Sequence, residues 1–117
     1  MKIILLHGTD GDENSNWIPW VKMQLLKRGH EVFAPSLPDS AYPNGEKWVN
    51  YVLENAPFGF DEETVIVGHS AGAALIPMLL QKLPEGVKVG RAILVSGFHD
   101  TLGWDKLKDL QNIVVNY

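Results

Sequence analysis

Glu63-Thr64-Val65-Ile66-Val67-Gly68-His69-Ser70-Ala71-Gly72-Ala73-Ala74-Leu75-Ile76-Pro77-Met78-Leu79-Leu80 sets an apolar run of strand length directly against an apolar run of helix length, with Gly68-His69-Ser70-Ala71-Gly72 at the join. A sharp strand-to-helix turn lifts a serine Oγ clear of the backbone, and the glycines on either side permit a crowding that side chains would forbid. The G-x-S-x-G pattern in that setting makes Ser70 a candidate nucleophile. The competing reading is a tight structural turn that happens to carry serine.

Outward from this segment, short apolar runs alternate with longer stretches of helical period, the pattern of a parallel sheet wrapped by helices. Strands are expected over 2–6, 31–34, 64–67, 92–95 and 112–116, each too uniformly apolar for a sheet with one wet face. A first helix is expected over 17–28, capped by Ser15 or Asn16, stopped by Gly29, with Ile18, Val21 and Leu25 on one face. A second is expected over 45–55, capped by Asn44 and ended by Pro57, with Trp48, Val49, Val52 and Leu53 turned inward. The third follows Ser70 and is nearly all apolar, so it should be deeply buried. Pro77 within it deletes the bond to the carbonyl of Ala73, which predicts a bend near Ala73 or Ala74.

Right-handed crossovers then give one α/β domain over 1–117, a three-layer, doubly wound parallel sheet of strand order 2-1-3-4-5. Its switch point lies between strands 1 and 3, and ligands bind outside the carboxyl ends of the strands at such a point. Ser70, after strand 3, and His7-Gly8-Thr9-Asp10-Gly11, after strand 1, converge there.

Composition narrows the partners. Ten Lys and Arg against 14 Asp and Glu give a net charge of −4 without a basic run, so neither a nucleic-acid surface nor a polybasic membrane anchor is indicated. A chain without cysteine has no disulfide, thiolate metal site or Cys nucleophile, and is compatible with a reducing cytosol. The segment 2–6 is too short for the apolar core of a signal peptide and runs into His7, Gly8 and Asp10; it is expected to be a strand of a cytoplasmic protein.

The loop after strand 1 has a chemical reading of its own. When a serine attacks an ester or amide carbonyl, the developing oxyanion needs waiting donors, typically the N–H after the nucleophile and one from this loop. Those would be Ala71 and either Thr9 or Asp10, with the dipole of the following helix adding to the effect. Two other readings stand beside it: a plain Gly-rich turn, and phosphate or metal binding through His7, Asp10 and Asp12. Neither G-x-G-x-x-G nor G-x-x-x-x-G-K-[ST] can be written over the loop. The pocket is expected to take His7, Gly8, Asp10, Trp17 and His69, with Trp20 and the segment 36–43 as further walls. His7 has the alternative of bonding loop backbone, His69 of pointing away from Ser70, and Trp17 and Trp20 of joining the core. His30 precedes strand 2 at the far edge and reads as structural.

His7-Gly8, Asn16-Trp17-Ile18-Pro19-Trp20, Pro35, Leu37-Pro38, the segment 64–72 and the segment 92–97 occur in the order that resembles the retinoblastoma-binding protein nine family of small serine hydrolases. The resemblance covers nearly all of the chain. It implies an α/β-hydrolase fold without a large cap, a Ser-His-Asp triad with Ser70 as nucleophile, small acyl esters or amides as substrates, and no cofactor or metal. In that family the triad acid lies just beyond the strand matching 112–116 and the histidine after one more strand, positions past Tyr117. A lone serine hydroxyl is a poor nucleophile at neutral pH. His99 and Asp100, after strand 4, are the substitutes that the sequence offers. The alternatives to a serine hydrolase are a hydrolase-like binding or interaction module of weak or no activity, and a nucleotide-binding flavodoxin-like domain.

Topology adds one expectation. In the order 2-1-3-4-5 only the helix after strand 1 covers one face, so that face over strands 3, 4 and 5 is open unless a further C-terminal segment or another copy of the chain covers it. Each large side chain left wet forgoes about 1.5 to 3 kcal/mol of burial. Self-association is therefore predicted, and sedimentation at micromolar concentration checks it: assembly is expected, and a stable monomer would count against the topology.

Overall fold

A computed structural model describes residues 1–95; the expected strand over 112–116, together with His99 and Asp100, lies outside them. In chain order the elements are β1 (Lys2–Leu6), α1 (Ile18–Lys27), β2 (Glu31–Phe33), α2 (Gly45–Asn55), β3 (Thr64–His69), α3 (Ala71–Lys82) and β4 (Arg91–Val95). Among the described residues the sheet has the order β2-β1-β3-β4 and every pairing is parallel, with Lys2 opposite both Glu31 and Thr64, and Val65 opposite Arg91. The fold is thus the expected three-layer α/β architecture through its fourth strand.

Alternation along the central strands divides the core in two. Ile4, Leu6 and Ile66 face α2 and α3, where Trp48, Val49, Val52, Leu75, Ile76 and Leu79 close the larger cluster. Ile3, Leu5 and Val65 face α1, whose Ile18, Val21 and Leu25 pack on them as the helical period required. On this second face cover thins from β1 outward. Leu5 is 0% exposed, Val65 8% and Ile93, one strand further, 41%. Among the described residues, α1 therefore shields β1 and β2 and does not reach β4.

Local departures from expectation have physical causes. α1 begins at Ile18 with Trp17 in the cap position and no side-chain cap, because the Ser15 hydroxyl instead accepts the Asp12 N–H at 2.8 Å and Asn16 takes a left-handed φ of 52°. Pro19 in the first turn of α1 needs no cap partner, since it has no N–H to satisfy. Asn44 caps α2 as expected, its Oδ1 accepting the Lys47 N–H at 3.0 Å. Leu53, expected inward, lies on the exposed side of α2 at 36%; Trp48, Val49 and Val52 fill the inward stripe without it. α3 runs through Pro77 as one helix of 12 residues. No helix among the described residues is long and apolar enough to cross a membrane.

Candidate active site

The turn between β3 and α3 is tightly constrained backbone. Ser70 has φ 54° and ψ −114°, a conformation that costs an L residue about 1–3 kcal/mol. Asp10, Asn16 and Asp39 also have positive φ, but short Asx side chains visit that region readily. A serine does so only when its surroundings leave no alternative. Here the surroundings are two glycines. A Cβ at Gly68 would lie 2.5 Å from the carbonyl oxygen of Gly72 and 2.7 Å from the Cα of Ala73, and one at Gly72 would run into the carbonyl oxygens of Leu6 and His7. The first turn of α3 thus crosses in direct backbone contact over the ends of β3 and β1. Ser70 N–H donates to the Val95 carbonyl at 2.9 Å, while its own carbonyl accepts the Ala74 N–H at 3.1 Å and starts the helix.

The loop after β1 meets this turn. A Cβ at Gly8 would lie 3.1 Å from the Ser70 Cβ and 3.2 Å from the His69 carbonyl oxygen. A side chain at position 8 would require the Ser70 turn to give by a few tenths of an ångström, so the two segments singled out in the sequence share one place. Ala71 is buried at the start of α3, where amides lack partners within the helix. Asp10 N–H donates to the Ser40 carbonyl at 2.8 Å, so of the two first-loop amides considered as oxyanion donors Asp10 is committed elsewhere and Thr9 remains. The Thr9 Oγ1 is buried and, among the described residues, unpartnered.

His7 does not line a pocket. It is 0% exposed, its Nδ1 lies 2.8 Å from the Gly8 carbonyl oxygen and its Nε2 accepts the Leu37 N–H at 2.8 Å. Both nitrogens are spent on backbone, which removes His7 as a substrate contact, a metal ligand or a base. Its ring stands edge-on to Trp48, centroids 5.5 Å apart and planes at 72°, and the Trp48 Nε1 donates to the Pro38 carbonyl at 2.7 Å. Asp12 likewise works inside the loop, its Oδ1 accepting the Asn14 N–H at 2.8 Å.

Trp17 and His69 are half-buried and meet edge to face, centroids 6.0 Å apart and planes at 82°, at the end of β3 that leads into Ser70. Trp20 is 65% exposed and belongs to neither core nor site. His30 lies 3.2 Å from the chain's amino terminus, at the other end of the sheet. The segment 36–43 holds the first loop in place: besides Leu37 and Ser40, the Ser36 Oγ accepts the Glu13 N–H at 3.2 Å. The sequence marks this segment as a pocket wall and Trp48 as inward; that Leu37 holds His7 by a hydrogen bond and Trp48 by a ring contact has no sequence signature. A groove of about 450 Å³ bordered by Glu13, Pro19, Met23 and Leu26 lies elsewhere on the surface and does not include Ser70.

The chain matches the family model for serine hydrolases over residues 3–114. It is 31% identical over 101 residues to YdeN of Bacillus subtilis (strain 168), named as a hydrolase, covering 86% of this chain and 53% of that one. It is 28% identical over 105 residues to the serine hydrolase RBBP9 of Rattus norvegicus, covering 87% and 53%. The chain thus spans about half the length of the curated relatives it matches. The crystal structure of the ydeN gene product superposes with a TM-score of 0.87 at 28% identity, covering 98% of this chain and 62% of that one. An extracellular α/β-hydrolase from a Paenibacillus species, at 20% identity and a TM-score of 0.64 over 84% of this chain and 41% of its own, shares the fold.

Burial pushes the His7 imidazole below its ordinary value of 6.5, against smaller upward pulls from the Gly8 carbonyl and the Asp12 charge. The unfolded chain therefore binds a proton first as pH falls, and the stability that neutral His7 contributes is whole above 6.5 and drains as pH drops below it toward the folded value. The other displaced group, Asp61, is held low by its hydrogen bond to Lys2 and acts only near and below pH 3.8. Urea unfolding at pH 7.5, 6.5 and 5.5 is expected to show decreasing stability across this range; a flat profile would contradict the buried neutral ring.

Proposed function

Because the chain belongs to the serine hydrolase family, we propose that it carries the nucleophile and oxyanion half of an acyl hydrolase acting on small esters or amides. Ser70 Oγ attacks the substrate carbonyl, a new C–O bond forms, and the carbonyl electrons move onto oxygen. Backbone N–H groups of Ala71 and Thr9 receive that charge, a task in which each well-placed donor is worth roughly 10²–10³ in rate. Collapse expels the alcohol or amine, and water releases the acyl group. Gly8, Asp10, Trp17 and His69 border the acyl site, and no cofactor is required.

The single observation that carries this reading is the backbone of Ser70, at φ 54° and ψ −114° with Gly8 packed against its Cβ. Strain at a nucleophile serves presentation of the hydroxyl; a structural turn there would be cheaper with glycine. The proton acceptor belongs to the triad acid and histidine that the family resemblance implies, or to His99 and Asp100, all outside the described residues. We place the protein in the cytoplasm and expect the exposed Ile93 and Leu94 of β4 to be covered by a further segment or a second copy.

The second reading is a hydrolase-like interaction module of weak or no activity, which keeps the turn at Ser70 without the chemistry. A fluorophosphonate separates the two. Attack by Ser70 forms an O–P bond and expels fluoride, so an activated serine gives a covalent adduct on the peptide containing Ser70 that is lost in Ser70→Ala. A folded chain that takes up no label would support the module.

A further inference from the structure

The loop His7-Gly8-Thr9-Asp10-Gly11 contains a buried titratable ring that the acyl chemistry does not consume. His7 is fully buried among backbone groups, and its surroundings allow one arrangement of its proton. The Gly8 carbonyl, 2.8 Å from Nδ1, can only accept, so Nδ1 carries the hydrogen. The Leu37 N–H, 2.8 Å from Nε2, can only donate, so Nε2 carries none. Gly8 O also accepts the Gly11 N–H at 3.1 Å, which fills both of its lone-pair directions.

That double grip has a consequence one bond away. Gly8 C=O and Thr9 N–H belong to the same peptide plane, and in a trans peptide they point in opposite directions. Holding the Gly8 oxygen from two sides fixes the direction of the Thr9 N–H. The next peptide is held as well, through Asp10 N–H on Ser40, so Thr9 sits between two clamped planes. Gly8 itself lies against Ser70, which brings the fixed N–H to the nucleophile's side of the sheet. The ring that does the holding is itself seated by Trp48, through its edge contact and the Trp48 bond to Pro38.

From this geometry we infer that His7 is a positioning residue for acyl transfer: its Nδ1–H grip on Gly8 aims the Thr9 amide at the oxyanion. The inference rests on the reading of Ser70 as nucleophile and of Thr9 as donor. It assigns the two ring nitrogens different work. Nδ1 orients the donor peptide; Nε2 ties the loop to the segment after β2. Protonation would put an N–H at Nε2 against the N–H of Leu37 and break the second tie. Asp12, from the loop before α1, is the charged group that acts on the ring, whereas its contacts from the segment after β2 and from α2, Leu37 and Trp48, bring no charge.

The two nitrogens can be tested one at a time. Asn places an amide NH2 near the position of Nδ1, and Gln an amide oxygen near that of Nε2. His7→Asn thus keeps the donor to Gly8 and gives up the acceptor for Leu37; His7→Gln does the reverse. Fluorophosphonate labelling of Ser70 at pH 7.5, on chains whose fold is checked by circular dichroism, is expected to run within a few-fold of wild type in His7→Asn and at least about ten-fold slower in His7→Gln. Equal loss in both, or a faster His7→Gln, would overturn the positioning role, since a tie between loops alone would favour Gln or spare neither. If the variants do not fold, imidazole ¹⁵N shifts of the wild-type chain decide: a proton on Nδ1 supports the grip and one on Nε2 refutes it. An unlabelled wild type overturns the reading of Ser70 on which this rests, an outcome distinct from a labelled wild type whose two variants fall together.

Discussion

Backbone contact between the first turn of α3 and the ends of β1 and β3 is the constraint from which the rest follows. Gly72 lies against the carbonyls of Leu6 and His7, and Gly68 against Gly72 and Ala73, with no room for a Cβ at either position. A helix brought this close to the strand it follows must turn within one residue, and that residue is Ser70, with its positive φ. The strain of roughly 1–3 kcal/mol is held by burial on both sides: Ile66 below the turn and Leu75, Ile76 and Leu79 along α3 are all at most 1% exposed. Packing fixes the backbone, and the backbone presents the hydroxyl.

A second layer of order is polar. The loop between β1 and α1 is long and carries three carboxylates, yet it is held by named bonds: the Asp12 and Ser15 turn within it, and Ser36, Leu37 and Ser40 across from it. The central bond passes through a neutral histidine, a group whose burial costs little only while it stays uncharged and fully bonded. The Lys2–Asp61 ion pair at 2.6 Å lies at the opposite, exposed end of the sheet, where water screens it and it contributes little.

Much of this was legible in the sequence because periodicity and glycine carry steric information. The strand over 2–6, the Asn44 cap, the inward Trp48 and the turn at Ser70 all express local rules, and the convergence of the two loops follows from the handedness of the crossovers. What escaped was set by partners distant in sequence. Leu53 fits the apolar period of α2 but lies outside the stripe that the sheet and α3 cover. Ser15 is a good helix cap that a closer competitor, the Asp12 N–H, had already taken. His7 offered several roles, and only the positions of Leu37 and Gly8, one on a segment 30 residues away, reduce them to one. Residues 96–117 hold the remaining expectations.

The central claim is that Ser70 occupies a backbone conformation hostile to side chains. Comparing the unfolding free energies of Ser70→Gly and Ser70→Ala tests it directly, since both remove the hydroxyl and differ only in the Cβ. At an unstrained position alanine is favoured over glycine by up to about 1 kcal/mol. Here the order is predicted to invert, with the glycine variant more stable by about 1–2 kcal/mol. An alanine variant as stable as the glycine variant, or more so, would contradict the account.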